Sequence, residues 1–166
     1  LVRACEAGCL EAVRFLLDRG ARMNRSPTDP DFNPFMAACA SGRVHVVELL
    51  LARGADPCRW GHRGRTALML ASYRDERPGD SDHVAVIRLL LKDGRVPVDA
   101  RDSRGLTALQ WACAFGRIER ARVLLLEGLA DHTVADVPGV TAKSLAQELG
   151  QEGCVQLHED KTQFSG

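Results

Sequence analysis

The sequence carries no excess charge of either sign: 22 Lys and Arg balance 22 Asp and Glu. That argues against bulk electrostatic attraction to nucleic acid or to an anionic membrane, although a local basic patch remains compatible with it. No apolar run approaches the roughly 20 residues that span a bilayer, so no membrane-embedded segment is expected. The chain has no initiator methionine, signal peptide or transit peptide. It opens at Leu1 inside a structural unit, and is therefore expected to be a segment of a longer protein. Also missing are a glycine-flanked serine elbow, a phosphate-binding glycine loop and a zinc-protease helix motif. There is no C-x-x-C pair. Cys5 and Cys9 lie four apart, as do Cys58 and His62, but the five histidines are scattered, whereas structural zinc wants four ligands in close, paired spacing. Asp80 and Asp82 near His83 read as solvated charge. These absences point to a chain without catalytic activity, metal or cofactor. What remains is 166 residues, 45% apolar and 27% charged, enough for one soluble domain with a real core.

What is present is periodic. Gly20, Gly54, Gly94 and Gly128 each follow a leucine-rich run, at spacings of 34, 40 and 34. Gly8, Gly42, Asp82, Gly116 and Gly150 form a second series in the same step, and Asn33, Thr66, Thr107 and Thr141 a third. Repeats of this period signal stacked supersecondary units. Each marker has a physical job. Asn or Thr can cap a helix by accepting from its free N–H groups, and Pro34 after Asn33 suits the first helical position. The mid-unit glycine permits a tight turn. A second helix follows with apolar residues at helical spacing, such as Val44, Val47, Leu50 and Leu51, or Ile118, Ala121, Leu124 and Leu125. The closing glycine fits the left-handed position beyond a helix end. Cys5, Cys39 and Cys113 recur at one point of successive units, where a small apolar side chain is wanted. They are expected to be reduced, in a cytoplasmic or nuclear setting.

Gly64-Arg65-Thr66-Ala67-Leu68-Met69-Leu70-Ala71, Gly105-Leu106-Thr107-Ala108-Leu109-Gln110-Trp111-Ala112, Gly116-Arg117-Ile118-Glu119, Leu124-Leu125-Leu126-Glu127-Gly128 and Gly54-Ala55-Asp56 together resemble the ankyrin repeat family, over nearly the whole chain. The resemblance implies an all-α solenoid of stacked helix–turn–helix units in one domain over 1–158. There are about five units: a partial first at 1–27, then 28–60, 61–101 with an insertion at 73–82, 102–135, and a short capping unit at 136–158, with a tail at 159–166. Two departures stand out. Met36, Met69, Gln110 and Ser144 occupy the place of the family's usual histidine, so the hydrogen bonds it makes should be missing or altered. Asp31 replaces the hairpin glycine of the second unit, which, with Pro27, Pro30 and Pro34, should make that hairpin irregular.

In the family, hairpin tips and first helices form a concave surface that binds partner proteins. Carried over, those positions are Arg59, Trp60, His62, Arg63 and Arg65 in the third unit, and Arg101, Ser103, Arg104 and Leu106 in the fourth. The ends of the first helices add Ala40 and Ser41, Tyr73 and Arg74, and Ala114 and Phe115. Arginine and aromatic side chains are enriched in binding hot spots, so the expected partner is a protein or peptide with acidic and apolar residues, bound by a monomer. The plainer reading is that the arginines merely solvate exposed hairpins. Trp60, on a polar tip, has no evident core role; Trp111, inside a first helix, reads as packing. The insertion should emerge beside the concave face, as a neutral loop or with Tyr73 and Arg74 as contacts. The alternative is a substrate-recruiting or regulatory segment of a larger enzyme, such as a ligase, kinase or methyltransferase.

Overall fold

The computed structural model describes residues 1–23, 32–75, 82–135 and 139–164, with side chains to Asp160 in the last helix. Asp31 and its neighbouring prolines Pro27 and Pro30 lie outside the described residues, as does most of the insertion. The helices are α1 (Val2–Ala7), α2 (Leu10–Asp18), α3 (Pro34–Ala40), α4 (Val44–Ala52), α5 (Ala67–Tyr73), α6 (His83–Asp93), α7 (Ala108–Ala114), α8 (Ile118–Leu126), α9 (Ala142–Glu148) and α10 (Glu152–Phe164). They form two layers. The odd helices pack in sequence, α1 on α3, α3 on α5, α5 on α7 and α7 on α9, and the even helices do the same from α2 to α10. This is an all-α solenoid. The one β-type contact among the described residues is an isolated bridge between Ala135 and Thr141.

Isolated helices of fewer than about 12–15 residues are marginal in water, so the seven-residue odd helices depend on what surrounds them. Every residue of α3 and α5 is buried, and so is α7 from Ala108 to Cys113. The even helices bury one side only: Val46, Val47 and Leu50 in α4, and Val86, Ile87 and Leu90 in α6. Ile118 of the expected apolar stripe is 39% exposed. Across the outer layer Arg53 pairs with Asp18 and Arg88 grips Glu127 with two nitrogens. These pairs are solvated, so they add little to stability.

The four predicted caps are in place. Asn33, Thr66, Thr107 and Thr141 each accept the N–H of the residue three further on, and all have extended backbones. The residue that replaces the histidine completes three of the caps. The Met69 sulfur accepts the Thr66 N–H, Gln110 Oε1 accepts that of Thr107 at 2.9 Å, and Ser144 Oγ accepts that of Thr141 at 2.9 Å. Gln110 goes further: its Nε2 donates to the Val140 carbonyl at 2.7 Å, joining two units. The bond is therefore altered rather than lost at this position.

Two turn markers behave differently from expectation. Asp82 does not adopt the left-handed turn of the glycine series. Its φ is −129°, and its carboxylate caps α6 by accepting the Ala85 N–H at 2.8 Å. Its own N–H donates to the Gly42 carbonyl at 2.9 Å. That closeness explains Gly42: with φ at 66°, a Cβ there would also lie 2.9 Å from His83 Nδ1. The second correction concerns Gly128, which is not the left-handed residue of its loop. Leu129 is, with φ at 50° and 79% exposure. Gly20 and Gly54 directly precede the alanine that bonds back to the helix, whereas Leu129 intervenes between Gly128 and Ala130.

Left-handed backbone costs a non-glycine residue roughly 1–2 kcal/mol. Leu129→Gly is expected to raise the stability measured by urea unfolding by about 1 kcal/mol, after some of that relief is offset by the looser unfolded chain; a loss of stability would show that the leucine packs usefully. Gln110→Met, which copies Met69 of the preceding unit, should lower stability by about 1 kcal/mol. Amide exchange in α9 should quicken more than in α3.

Candidate partner-binding surface

The loops entering α5 and α7 fold back as tight hairpins. Gly61 N–H donates to the Arg65 carbonyl at 2.8 Å, and Asp102 N–H to that of Leu106 at 3.0 Å. Ser103 N–H donates to the Arg63 carbonyl at 2.8 Å, tying the two tips together. Arg63 holds a left-handed backbone, φ 59°. Asp102 is buried and its carboxylate is fully engaged. Oδ1 accepts the N–H groups of Arg104 and Leu106 at 2.9 and 3.0 Å, and Oδ2 accepts Trp111 Nε1–H at 3.1 Å. One carboxylate therefore fixes the fourth unit's hairpin to the middle of α7. Charge-assisted bonds of this kind are among the stronger hydrogen bonds.

Trp111 is the centre of an aromatic group. Its ring centroid lies 4.6 Å from Tyr73, at the end of α5, and 5.8 Å from Phe115, which follows α7. Tyr73 and Phe115 are 5.4 Å apart. Three arginines lean on these rings. The guanidinium of Arg104 is 4.4 Å from the Trp111 centroid, that of Arg65 is 4.8 Å from Trp111 and 5.3 Å from Tyr73, and that of Arg74 is 5.7 Å from Tyr73. Arg65 also donates to the Tyr73 hydroxyl at 2.8 Å. Its Nε is buried without a hydrogen-bond partner. Such cation–π contacts contribute about 0.5–2 kcal/mol each, more where water is excluded.

The structure thus brings Arg65, Tyr73, Arg74, Arg104 and Phe115 together around Trp111, which is both packing and floor. Tyr73 is buried and ends α5 rather than opening the insertion. Phe115 is 48% exposed. Arg59, Arg63 and Arg101 are exposed on the tips, with His62 beside them. Trp60 is 54% exposed and packs its edge against Gly64. Leu106 is half-buried against the core. Ala40 and Ser41 are buried and offer no surface. What the sequence reading missed is Asp102; a carboxylate three residues before a glycine in a hairpin was the available signal.

Charge is unevenly satisfied over the molecule. Arg3, Arg53, Arg88, Arg95, Arg117 and Arg122 each meet a carboxylate. Among the described residues none pairs with Arg59, Arg63, Arg65, Arg74, Arg101 or Arg104, nor with Arg14, Arg19 and Arg22 at the other end of the stack. Near the same face, Asp75 and Arg117 form an ion pair, and Arg120 donates to the Arg74 carbonyl at 2.5 Å, which anchors the start of the insertion on the fourth unit. Cys5, Cys39, Cys113 and Cys154 serve the core instead. Burial pushes the Cys5 thiol up to about 12 and raises Cys39 as well, so both stay protonated near neutrality. Cys58 donates to the Arg95 carbonyl. Among the described residues no group of three or more His, Cys, Asp or Glu side chains could hold a metal, and no helix is long and apolar enough to cross a membrane.

Comparison with known proteins agrees with the two-layer stack. A family model described as ankyrin repeats (3 copies) matches residues 1–95 and 60–136. Ankyrin repeat domain-containing protein 63 of Mus musculus is 35% identical over 168 residues, covering 93% of this chain and 40% of that protein. A putative ankyrin repeat-containing protein of Treponema pallidum is 38% identical over 112 residues, 68% of this chain and 35% of its own length. Palmitoyltransferase AKR1 of Kluyveromyces lactis is 35% identical over 111 residues, 66% of this chain but only 14% of that protein. The chain thus spans less than half the length of these relatives. With the family model covering most of its residues and every cap of the repeat in place, the chain belongs to the ankyrin repeat family.

Proposed function

We propose that this chain is a protein-interaction module whose partner lies along the hairpin tips and the aromatic group of the third and fourth units. Ankyrin repeats are protein-interaction modules, and relatives that match two thirds or more of this chain are ankyrin repeat proteins. The observation that carries the finer reading is the segregation of charge. In a protein of zero net charge, six arginines with no carboxylate partner among the described residues gather beside exposed Phe115 and Trp60. A partner segment with acidic and apolar residues complements that surface, the acids meeting the arginines and the apolar groups covering the rings. The palmitoyltransferase match is confined to a small part of that enzyme, so it supports a recruiting segment no more than a free-standing binder and does not favour catalysis. The thiols packed as small apolar groups support the cytoplasm or nucleus as the setting.

Arg65 is half-buried and bonded, so reversing its charge would disturb the fold as well as the surface. Arg63 and Arg104 are exposed. The double variant Arg63→Glu/Arg104→Glu is expected to weaken capture of the partner from cell extract by about tenfold or more, or ~1.4 kcal/mol. Helical content should be unchanged, and melting should fall only by what the lost Arg104–Trp111 contact contributes. Wild-type binding should also weaken as salt rises. Undiminished capture by the double variant would place the partner elsewhere.

A further inference from the structure

The surface just described has more positive charge at one point than a carboxylate needs. Arg65 and Arg104 both lie against the same indole, within 4.8 and 4.4 Å of its centroid. Arg63 stands on the adjoining tip, joined to Ser103 by the backbone bond that ties the hairpins. The carboxylate beside the indole, Asp102, spends both its oxygens on backbone N–H groups and the Trp111 N–H. We propose that Arg65 and Arg104, seated on Trp111, form a receptor for a phosphorylated side chain of the partner protein. The proposal rests on the interaction reading above and narrows it.

Three arguments select a phosphoryl group. A carboxylate is satisfied by one guanidinium, whereas a phosphorylated side chain brings a charge of about −1.5 to −2 and three acceptor oxygens, which suits two or three. The aromatic floor holds the arginines by stacking, so their forks are oriented before the ligand arrives and less side-chain entropy is lost on binding. The half-exposed Phe115 beside them offers an apolar seat for the residue next to the phosphate. A nucleic-acid backbone or a lipid surface would instead call for a long basic track. Here the cations are confined to two units, and Asp75 lies exposed near the same face.

The test uses this chain with labelled indoles. Trp60 and Trp111 give two indole N–H resonances, assigned with Trp60→Phe; that of Trp111 is the one bonded to Asp102. Titration with N-acetyl-phosphoserine amide should move the Trp111 signal with an affinity about tenfold better than N-acetyl-glutamate amide. Arg104→Ala should cost about tenfold, Arg104→Lys should recover only part of it, and Arg53→Ala, far from the rings, should change nothing. Equal response to the glutamate probe, or no shift of Trp111, overturns the proposal. So does a tighter response to single-stranded RNA or to vesicles rich in phosphatidylserine. In parallel, extract treated with phosphatase should lose its captured partner. A partner retained after that treatment refutes the phosphate receptor while leaving the interaction reading intact. Failure to capture any partner sensitive to Arg63→Glu/Arg104→Glu refutes both.

Discussion

Helices α3, α5 and α7 have almost no side facing water, and the rest of the molecule follows from that. A seven-residue segment such as Pro-Phe-Met-Ala-Ala-Cys-Ala cannot hold a helix on its own. It does so here because a neighbour covers it on each side and the even helix of its own pair covers it from behind. Stability then resides in the contacts between units more than within them. It also explains the composition of those segments. Alanine and cysteine let backbones approach closely, and a buried thiol behaves as a slightly larger alanine. Cys5, Cys39 and Cys113 are fully buried for this reason rather than for any chemistry.

Close stacking leaves the ends of the odd helices as the places where polar chemistry must be settled. The entries to α3, α5, α7 and α9 are sealed by Asn or Thr, and in the last three the residue three further on seals the cap in return. Because the caps are alike, successive hairpins leave the stack in the same direction and can bond to one another, as Ser103 does to Arg63. In the fourth unit Asp102 adds a tether to Trp111. The surface arginines are therefore mounted on a rigid frame. An arginine over an indole that is itself locked by a hydrogen bond has lost most of its freedom before any partner arrives, which is how a small surface can bind usefully.

Much of this was legible in the sequence, and the misses have physical causes. Three marker series in step identified the stack, because caps and left-handed turns require particular residue types. Asp82 was misread, since position in a series was taken for role: an insertion had removed the need for the left-handed turn, and the aspartate became a cap. Gly128 was misread by one residue for a related reason, as the loop after α8 is longer than its counterparts and places Leu129 at the strained position. At the surface, residue types indicated the strip of Arg59, Arg63, Arg65, Arg101 and Arg104, but not how it is organised. Tyr73, Trp111 and Phe115 come from two units, and only the distance between α5 and α7 makes them one group. Nor could sequence tell that Ala40 and Ser41 would be covered, because their neighbour in space, His83, lies on the far side of the insertion.

The insertion shows how the same constraint protects the surface. It lengthens the third unit, yet both of its described ends are fastened to units other than its own. Asp82 bonds back to Gly42 of the second unit, and His83 reaches Ala40; Arg74 and Asp75 are held by Arg120 and Arg117 of the fourth. Closing a loop of a few extra residues costs about 0.6 kcal/mol per doubling of its length, small beside the burial that α5 and α6 obtain from their neighbours. The register between units is thus set before the insertion begins and restored where it ends. The fastened ends hold Tyr73 and Arg65 in place relative to Trp111, and the arginine-bearing tips keep their geometry.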